Sequence, residues 1–170
     1  SSLINVTVAR NVAASRGGGL YNESSEVRPV IPPTTTIGNS IIEGNSTTTR
    51  VPATNATIGR DMFGAVRSLG SNLIQVLDRR FLTGTDAGLL TSDKFGRDAT
   101  PLASSLNGLS FAVGTGVGAH PLKPGSLAVD GGSNTVFPTT PLLAQQDVVG
   151  NPRLIEGNRD GVVTIDVGAV

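Results

Sequence analysis

Oxygen-bearing side chains at alternate positions are the first feature of this sequence that could do chemistry. Glu156, Asn158 and Asp160 are spaced in this way, with Gly161 next in the chain and Asp166 further on. A Ca²⁺ loop places carboxylate and amide oxygens at alternate positions and a glycine at the sixth, where the chain turns sharply. Two details depart from that pattern: Asp166 falls at the eleventh position rather than the twelfth, and Arg159 puts a positive charge inside the loop. The same residues make a polar turn between Ile155 and Val162, which a hairpin there needs in any case. The turn is the preferred reading. If Ca²⁺ binds anywhere, Glu156, Asn158, Asp160 and Asp166 are its expected ligands, and no other cofactor is expected.

Sugar-chain cleavage is the second chemistry to weigh. A glycoside hydrolase needs two carboxylates about 5–10 Å apart. A lyase needs carboxylates for a metal and a base to take a proton. Asp86, Asp93 and Asp98 lie close in sequence to Lys94 and Arg97 and are the nearest approach to such a set, although charges in a polar loop are ordinarily only solvated. His120 is the sole histidine, and no serine sits in a recognisable nucleophile context. Gly114-Thr115-Gly116-Val117-Gly118 lacks the strand-then-helix setting of a nucleotide loop. Catalytic residues are therefore left unassigned. Four Asn-x-Ser/Thr sequons, at Asn5, Asn22, Asn45 and Asn55, would matter only for glycosylation in a secreted eukaryotic protein.

The elements that must carry these residues are strands. Among 170 residues 4% are aromatic and Trp is absent, while Gly (22) and Pro (10) punctuate runs of Val, Ile and Thr. A core without large rings has to be thin. A solenoid supplies one, because each coil contributes only a few inward side chains. Lys plus Arg and Asp plus Glu are both 13 and form no basic stripe, so nucleic acid is not an expected partner. No apolar run reaches a membrane span, so no transmembrane segment is expected. With no cysteine, disulfides and thiol chemistry are excluded.

Internal repetition sharpens this reading. Asn5-Val6-Thr7-Val8-Ala9-Arg10-Asn11 aligns with Asn39-Ser40-Ile41-Ile42-Glu43-Gly44-Asn45 at an offset of 34, and Ser71 to Val76 gives a weaker third copy with Asn72 a further 33 along. Excess length is expected to loop out at corners, notably over 26–36 and 50–60. Asn11 and Asn45 close equivalent strands, where Asn tolerates left-handed geometry and bonds local backbone. Stacked coils would bring the two amides together as a structural ladder. Gly17-Gly18-Gly19 should allow a tight corner with Leu20 inward, and 61–67 a short helical turn. The expected core is Val6, Val8, Leu20, Ile41 or Ile42, Leu73 and Ile74.

The predicted fold is therefore all-β: a right-handed parallel β-helix with irregular loops and a C-terminal capping strand. Residues 1–78 are expected to hold the coils, and 79–170 the loop-rich final coils and the cap, in one continuous domain. The cap is placed at Val162 to Val167, with Leu154, Ile155, Val163 and Ile165 over the last coil.

Gly17 to Asn22 followed by Asn39 to Asn45 resembles the repeat of bacterial pectate-lyase-like β-helix surface proteins. The later motifs resemble the C-terminal region of choice-of-anchor Q domain proteins. These are Leu122 to Gly132 (Leu-x-Pro-Gly-Ser-x-Ala-x-Asp-x-Gly), Gln146-Asp147 through Arg153, and Asp166-Val167-Gly168-Ala169. Two positions depart from the family: Ser104 to Leu109 replaces its usual Asp-Asn-Gly-Gly-Pro-Thr stretch, and Leu127 stands where Pro is common. The resemblance implies a secreted or surface-anchored protein and supplies no catalytic residues. The leading expectation is an extracellular structural or adhesive module within a larger surface protein or assembly. Its N-terminal end would be completed by upstream coils or by another subunit. A carbohydrate-active enzyme and a Ca²⁺-stabilised carbohydrate-binding module are the alternatives, with polysaccharide as partner.

Overall fold

The computed structural model describes residues 1–22, 35–49, 59–64, 66–77, 88–111, 116–137, 145–147 and 149–168. Among these the protein is all-β, with fifteen short strands and no α-helix. Within the same residues no helix long and apolar enough to cross a membrane is present.

The first pass of the chain lays down β1 (Ser2–Ile4), β2 (Thr7–Ala9), β3 (Val12–Ala13) and β4 (Leu20–Tyr21). The second pass repeats the order as β5 (Thr36–Gly38), β6 (Ile41–Glu43), β7 (Ser46–Thr47) and β8 (Met62–Phe63). Each second-pass strand pairs in parallel with its first-pass equivalent: β1 with β5, β2 with β6, β3 with β7 and β4 with β8. The third pass adds β9 (Arg67–Ser68) to β5 and β10 (Leu73–Ile74) to β6. β11 (Lys94–Phe95) then joins β10, so this parallel ladder continues past residue 78. The register Thr7↔Ile41 reproduces the offset of 34 seen in the sequence.

The third copy is shifted by one residue from its expected alignment. Leu73 pairs with Ile41, so Ser71, not Asn72, occupies the place of Asn39. Backbone geometry explains this: Asn5, Asn39 and Ser71 all have positive φ, near 50°, and mark the same left-handed turn position. Asn72 stands instead where Ser40 stands one pass earlier. The left-handed residues before the next corner are likewise Arg10 and Gly44, one position ahead of Asn11 and Asn45.

Alternation splits the apolar residues into two layers. Ile42, Ile74, Met62, Ile37, Val66 and Leu77 form an inner cluster, with Val8, Leu20 and Leu3 packed on it. Ile41 and Leu73 point the other way, into a second cluster with Leu106, Ala128 and Val167. Thus Ile41 and Ile42 are both fully buried, but on opposite faces of one sheet. Val6, Val8 and Leu20 are only half-buried.

One local expectation is corrected and another holds. Met62–Phe63 is a strand rather than part of a helical turn, because Met62 fills the inner cluster and its neighbour Asp61 ties Asn45 of the same pass to Val76 of the next. The glycine corner is enforced by contact. A Cβ on Gly19 would sit 2.6 Å from both Asn45 Nδ2 and the Asp61 carbonyl, leaving no room for a side chain.

The C-terminal region is built differently. β12 (Ser110–Phe111) pairs antiparallel with β13 (Gly118–Ala119), and β14 (Leu154–Ile155) with β15 (Thr164–Ile165). The expected cap forms only in part. The strand covers Thr164–Ile165 alone, with Ile165 fully buried, while Leu154, Ile155, Val162 and Val163 are exposed. Val167 instead packs against the outer face of the β6–β10 sheet, and Gly168 N–H donates to the Asn39 carbonyl at 2.7 Å. A hairpin with two-residue strands has too little width to bury both faces, so only the side turned to the sheet is covered.

Candidate functional site

Two side-chain ladders stitch the passes together at their corners. Asn11 N–H and Asn11 Nδ2 both donate to Asn45 Oδ1 at 3.0 Å. Asn45 N–H and Nδ2 donate in turn to Asp61 Oδ1, at 2.8 and 3.0 Å. Asp61 Oδ2 accepts Val76 N–H at 2.8 Å. The second ladder follows the same rule: Ser40 N–H donates to Asn72 Oδ1, and Asn72 N–H and Nδ2 to Asp93 Oδ1. Asp93 Oδ2 accepts Leu90 N–H at 2.7 Å. Each ladder therefore ends on a buried carboxylate. A group that only accepts suits the end of a column of donors, since it takes several N–H bonds without needing a partner of its own. Burial outweighs these bonds at Asp61 and pushes its pKa up to about 6.

The loop charges considered for catalysis do not assemble. Asp93 is consumed by its ladder, Asp98 contacts Arg60 at 3.5 Å, Lys94 and Arg97 are exposed, and Asp86 lies outside the described residues. His120 Nδ1 lies 3.1 Å from the Asn107 carbonyl. Glu43, the one acidic residue in the repeat, is buried and holds the 104–106 segment through Ser104 Oγ, Ser105 N–H and Leu106 N–H. The sequon residues Asn5 and Asn45 are buried, and Asn55 lies outside the described residues.

The Ca²⁺ set is spread out. Asn158 Oδ1 accepts Asp160 N–H, and Asp160 Oδ1 accepts Val162 N–H, as in a self-capped turn. Glu156 is exposed, and Asp166 turns away to accept Asp130 N–H at 2.8 Å. Among the described residues no three His, Cys, Asp or Glu side chains form a group that could hold a metal.

The C-terminal motifs, in contrast, interlock. Asp130 N–H bonds Asp166, Val167 N–H bonds the Ala128 carbonyl, and Gly132 N–H bonds the Ile165 carbonyl. Gly168 has a φ of +90°, and a Cβ there would come 2.6 Å from Thr7 Oγ1, so only glycine seats the chain on β2 and β6. Arg153 Nη1 donates to the Gly168 carbonyl at 2.8 Å, and Arg153 Nε to the Gln146 carbonyl at 2.7 Å. Asp147 accepts the N–H groups of Val149 and Asn151 and the Asn151 amide.

Between the two hairpins this knot opens a cleft of about 580 Å³. Phe111, Leu122 and Ile155 supply apolar wall, and Asp147, Arg153 and Asp166 the polar groups. Burial lowers the Arg153 pKa, with Asp147 opposing, and burial raises that of Asp166. Asp147 is tied by three donors, which leaves it poorly placed to move a proton. The sequence showed its motifs in order but not their convergence. Compared with protein-family models, with curated proteins and with solved structures, the chain finds no match.

Proposed function

We propose that this chain is a parallel β-helix module with a structural or adhesive role in a larger extracellular assembly, joined to a further coil along β1 to β4. The observation that carries the reading is the one-sided pairing of the first pass. Among the described residues β1, β2, β3 and β4 each have one ladder partner, on the second-pass side. Strand edges of this kind are templates for another strand and are ordinarily covered. The Asn ladder supports the same direction of growth. Asn45 Oδ1 takes the Asn11 N–H, while among the described residues nothing donates to Asn11 Oδ1. A coil stacked on β1–β4 would bring a backbone N–H to that oxygen. The added coil comes from upstream chain or from another subunit stacked end-on. The resemblance of the repeat and the closing motifs to bacterial surface proteins supports a secreted or cell-surface location.

The test is the native mass of the purified chain, paired with hydrogen exchange over residues 3–12. Association that slows exchange there, and that Val12→Lys on the β3 edge abolishes, supports the reading. A stable monomer with fast-exchanging edge amides at high concentration overturns end-on stacking of subunits, and equally fast exchange at those amides in a longer chain that carries the upstream residues overturns the reading as a whole.

A further inference from the structure

The cleft between the hairpins is separate from the strand edges and has features they lack. Phe111 is 66% exposed. Its cross-strand partner is Gly118, and a Cβ there would stand 3.1 Å from Phe111 Cε1, so the ring lies against the glycine backbone. A glycine at this point supports the ring from one side and leaves a flat apolar face to solvent. Across the cleft, Arg153 and Asp166 form no ion pair with each other among the described residues. Arg153 uses Nε and Nη1 on backbone carbonyls and Asp166 uses Oδ1 on Asp130, while among the described residues nothing bonds Arg153 Nη2 or Asp166 Oδ2. One donor fork and one acceptor therefore line the same apolar-walled space.

We propose that this cleft binds the ring of an uncharged saccharide, with Phe111 as the stacking platform, Arg153 Nη2 as donor and Asp166 Oδ2 as acceptor. A pyranose matches this set because it has an apolar C–H face and hydroxyls that both give and accept hydrogen bonds. A space of about 580 Å³ lies within the ordinary range of ligand sites, roughly 300–1,000 Å³, and admits one or two rings. Charge selects the uncharged sugar over a uronate. Asp147 and Asp166 offset the positive charge of Arg153, so the cleft has no surplus cation for a carboxylate. A peptide is the poorer fit. Peptides that add to sheets need a long strand edge, and the strands bordering the cleft have two residues each.

This inference does not rest on the edge-joining reading, and the two can fail separately. The experiment is saturation-transfer NMR and calorimetric titration of the full chain with cellotetraose, mannotetraose and maltotetraose. Tetragalacturonate and an extended uncharged hexapeptide serve as comparison probes. The expected result is that at least one neutral tetrasaccharide binds, with strongest transfer to ring C–H protons. Phe111→Ala should weaken that binding at least about tenfold, the size expected for losing an aromatic contact, and Phe111→Tyr should restore it. Because Phe111 is largely solvent-exposed, the Ala variant should keep the wild-type circular dichroism spectrum. Failure of all three neutral sugars to bind overturns the proposal. So does tighter binding of tetragalacturonate or of the peptide, or binding that Phe111→Ala leaves unchanged.

Discussion

The first three passes and the C-terminal hairpins are made from similar residues but stabilised in different ways. In the passes, each strand is backed by an equivalent strand, each buried polar corner by another, and Ile42 and Ile74 are sealed from water. In the hairpins the strands are two residues long, and Leu154, Ile155 and Val163 face solvent. What fixes the hairpins is a set of backbone bonds and glycine contacts against the outer face of the β6–β10 sheet. In the passes the same pairing is repeated, so each pass adds its own share of stability. The hairpins take theirs from contacts with the passes, which leaves several of their apolar groups facing solvent.

The contrast can be broken most directly in the cores. Ile42→Ala empties a fully buried site in the inner cluster and should cost about 2–5 kcal/mol of unfolding free energy. Leu154→Ala, of the same chemical kind, should stay within roughly 1 kcal/mol because the side chain is already wet. Urea unfolding of the two variants measures the difference, and equal losses would show that the hairpins carry as much of the core as the coils. The polar corners give the next effect. Asn45→Ala removes the bonds to Val8, Glu43 and Asp61 and leaves buried partners unmatched, at roughly 2–3 kcal/mol. Asn11→Ala, at the exposed start of the same ladder, should cost no more than about 1 kcal/mol.

Asp61 sharpens the comparison through pH. Its folded pKa, about 6, lies above the ordinary carboxylate value of 3.8, so the folded chain holds the proton more tightly than the unfolded chain. Stability from this group is complete below the unfolded pKa and is lost as pH rises through about 6. The loss is of the order of 1–3 kcal/mol, at about 1.4 per pH unit. Chemical unfolding between pH 4 and pH 7 should show this fall in the wild type and a flatter profile in Asp61→Asn. A wild-type profile that rises over that interval would mean the ladder bonds, not burial, set the carboxylate's state.

These differences also account for what could be read from residues alone. The coil register was legible because Thr7↔Ile41 and Val8↔Ile42 repeat both residue type and spacing. The third copy slipped by one because Asn can serve either as a left-handed turn residue, as at Asn39, or as a ladder acceptor, as at Asn72. Only the backbone separates the two roles. Asp61 and Asp93 gave no signal, since they lie 16 and 21 residues from the Asn they serve, with no common spacing to mark the pairing. The cap was misplaced because apolar type at Leu154 and Val163 does not reveal which side of a narrow hairpin meets the sheet. The cleft stayed hidden for a related reason: its walls come from two hairpins that no repeat relates.

The smallest expected effect concerns the turn after β14, where the hairpins could still imitate the coils by borrowing a fixed scaffold, in this case an ion. The oxygens needed for Ca²⁺ are already engaged. Asn158 and Asp160 cap N–H groups two residues ahead, and one oxygen of Asp166 is held by Asp130 N–H. Gathering them round an ion would break three such bonds and draw Asp166 out of the knot beside Val167. Adding Ca²⁺, or removing divalent ions with EDTA, should therefore leave the melting temperature unchanged within about 1 °C, corresponding to a few tenths of a kcal/mol for a chain of this size. Asp160→Ala should cost roughly 0.5 kcal/mol, as an exposed turn cap, with or without Ca²⁺. A melting temperature that climbs with Ca²⁺ in the wild type but not in Asp160→Ala would give the hairpins an anchor of their own and erase the contrast with the coils.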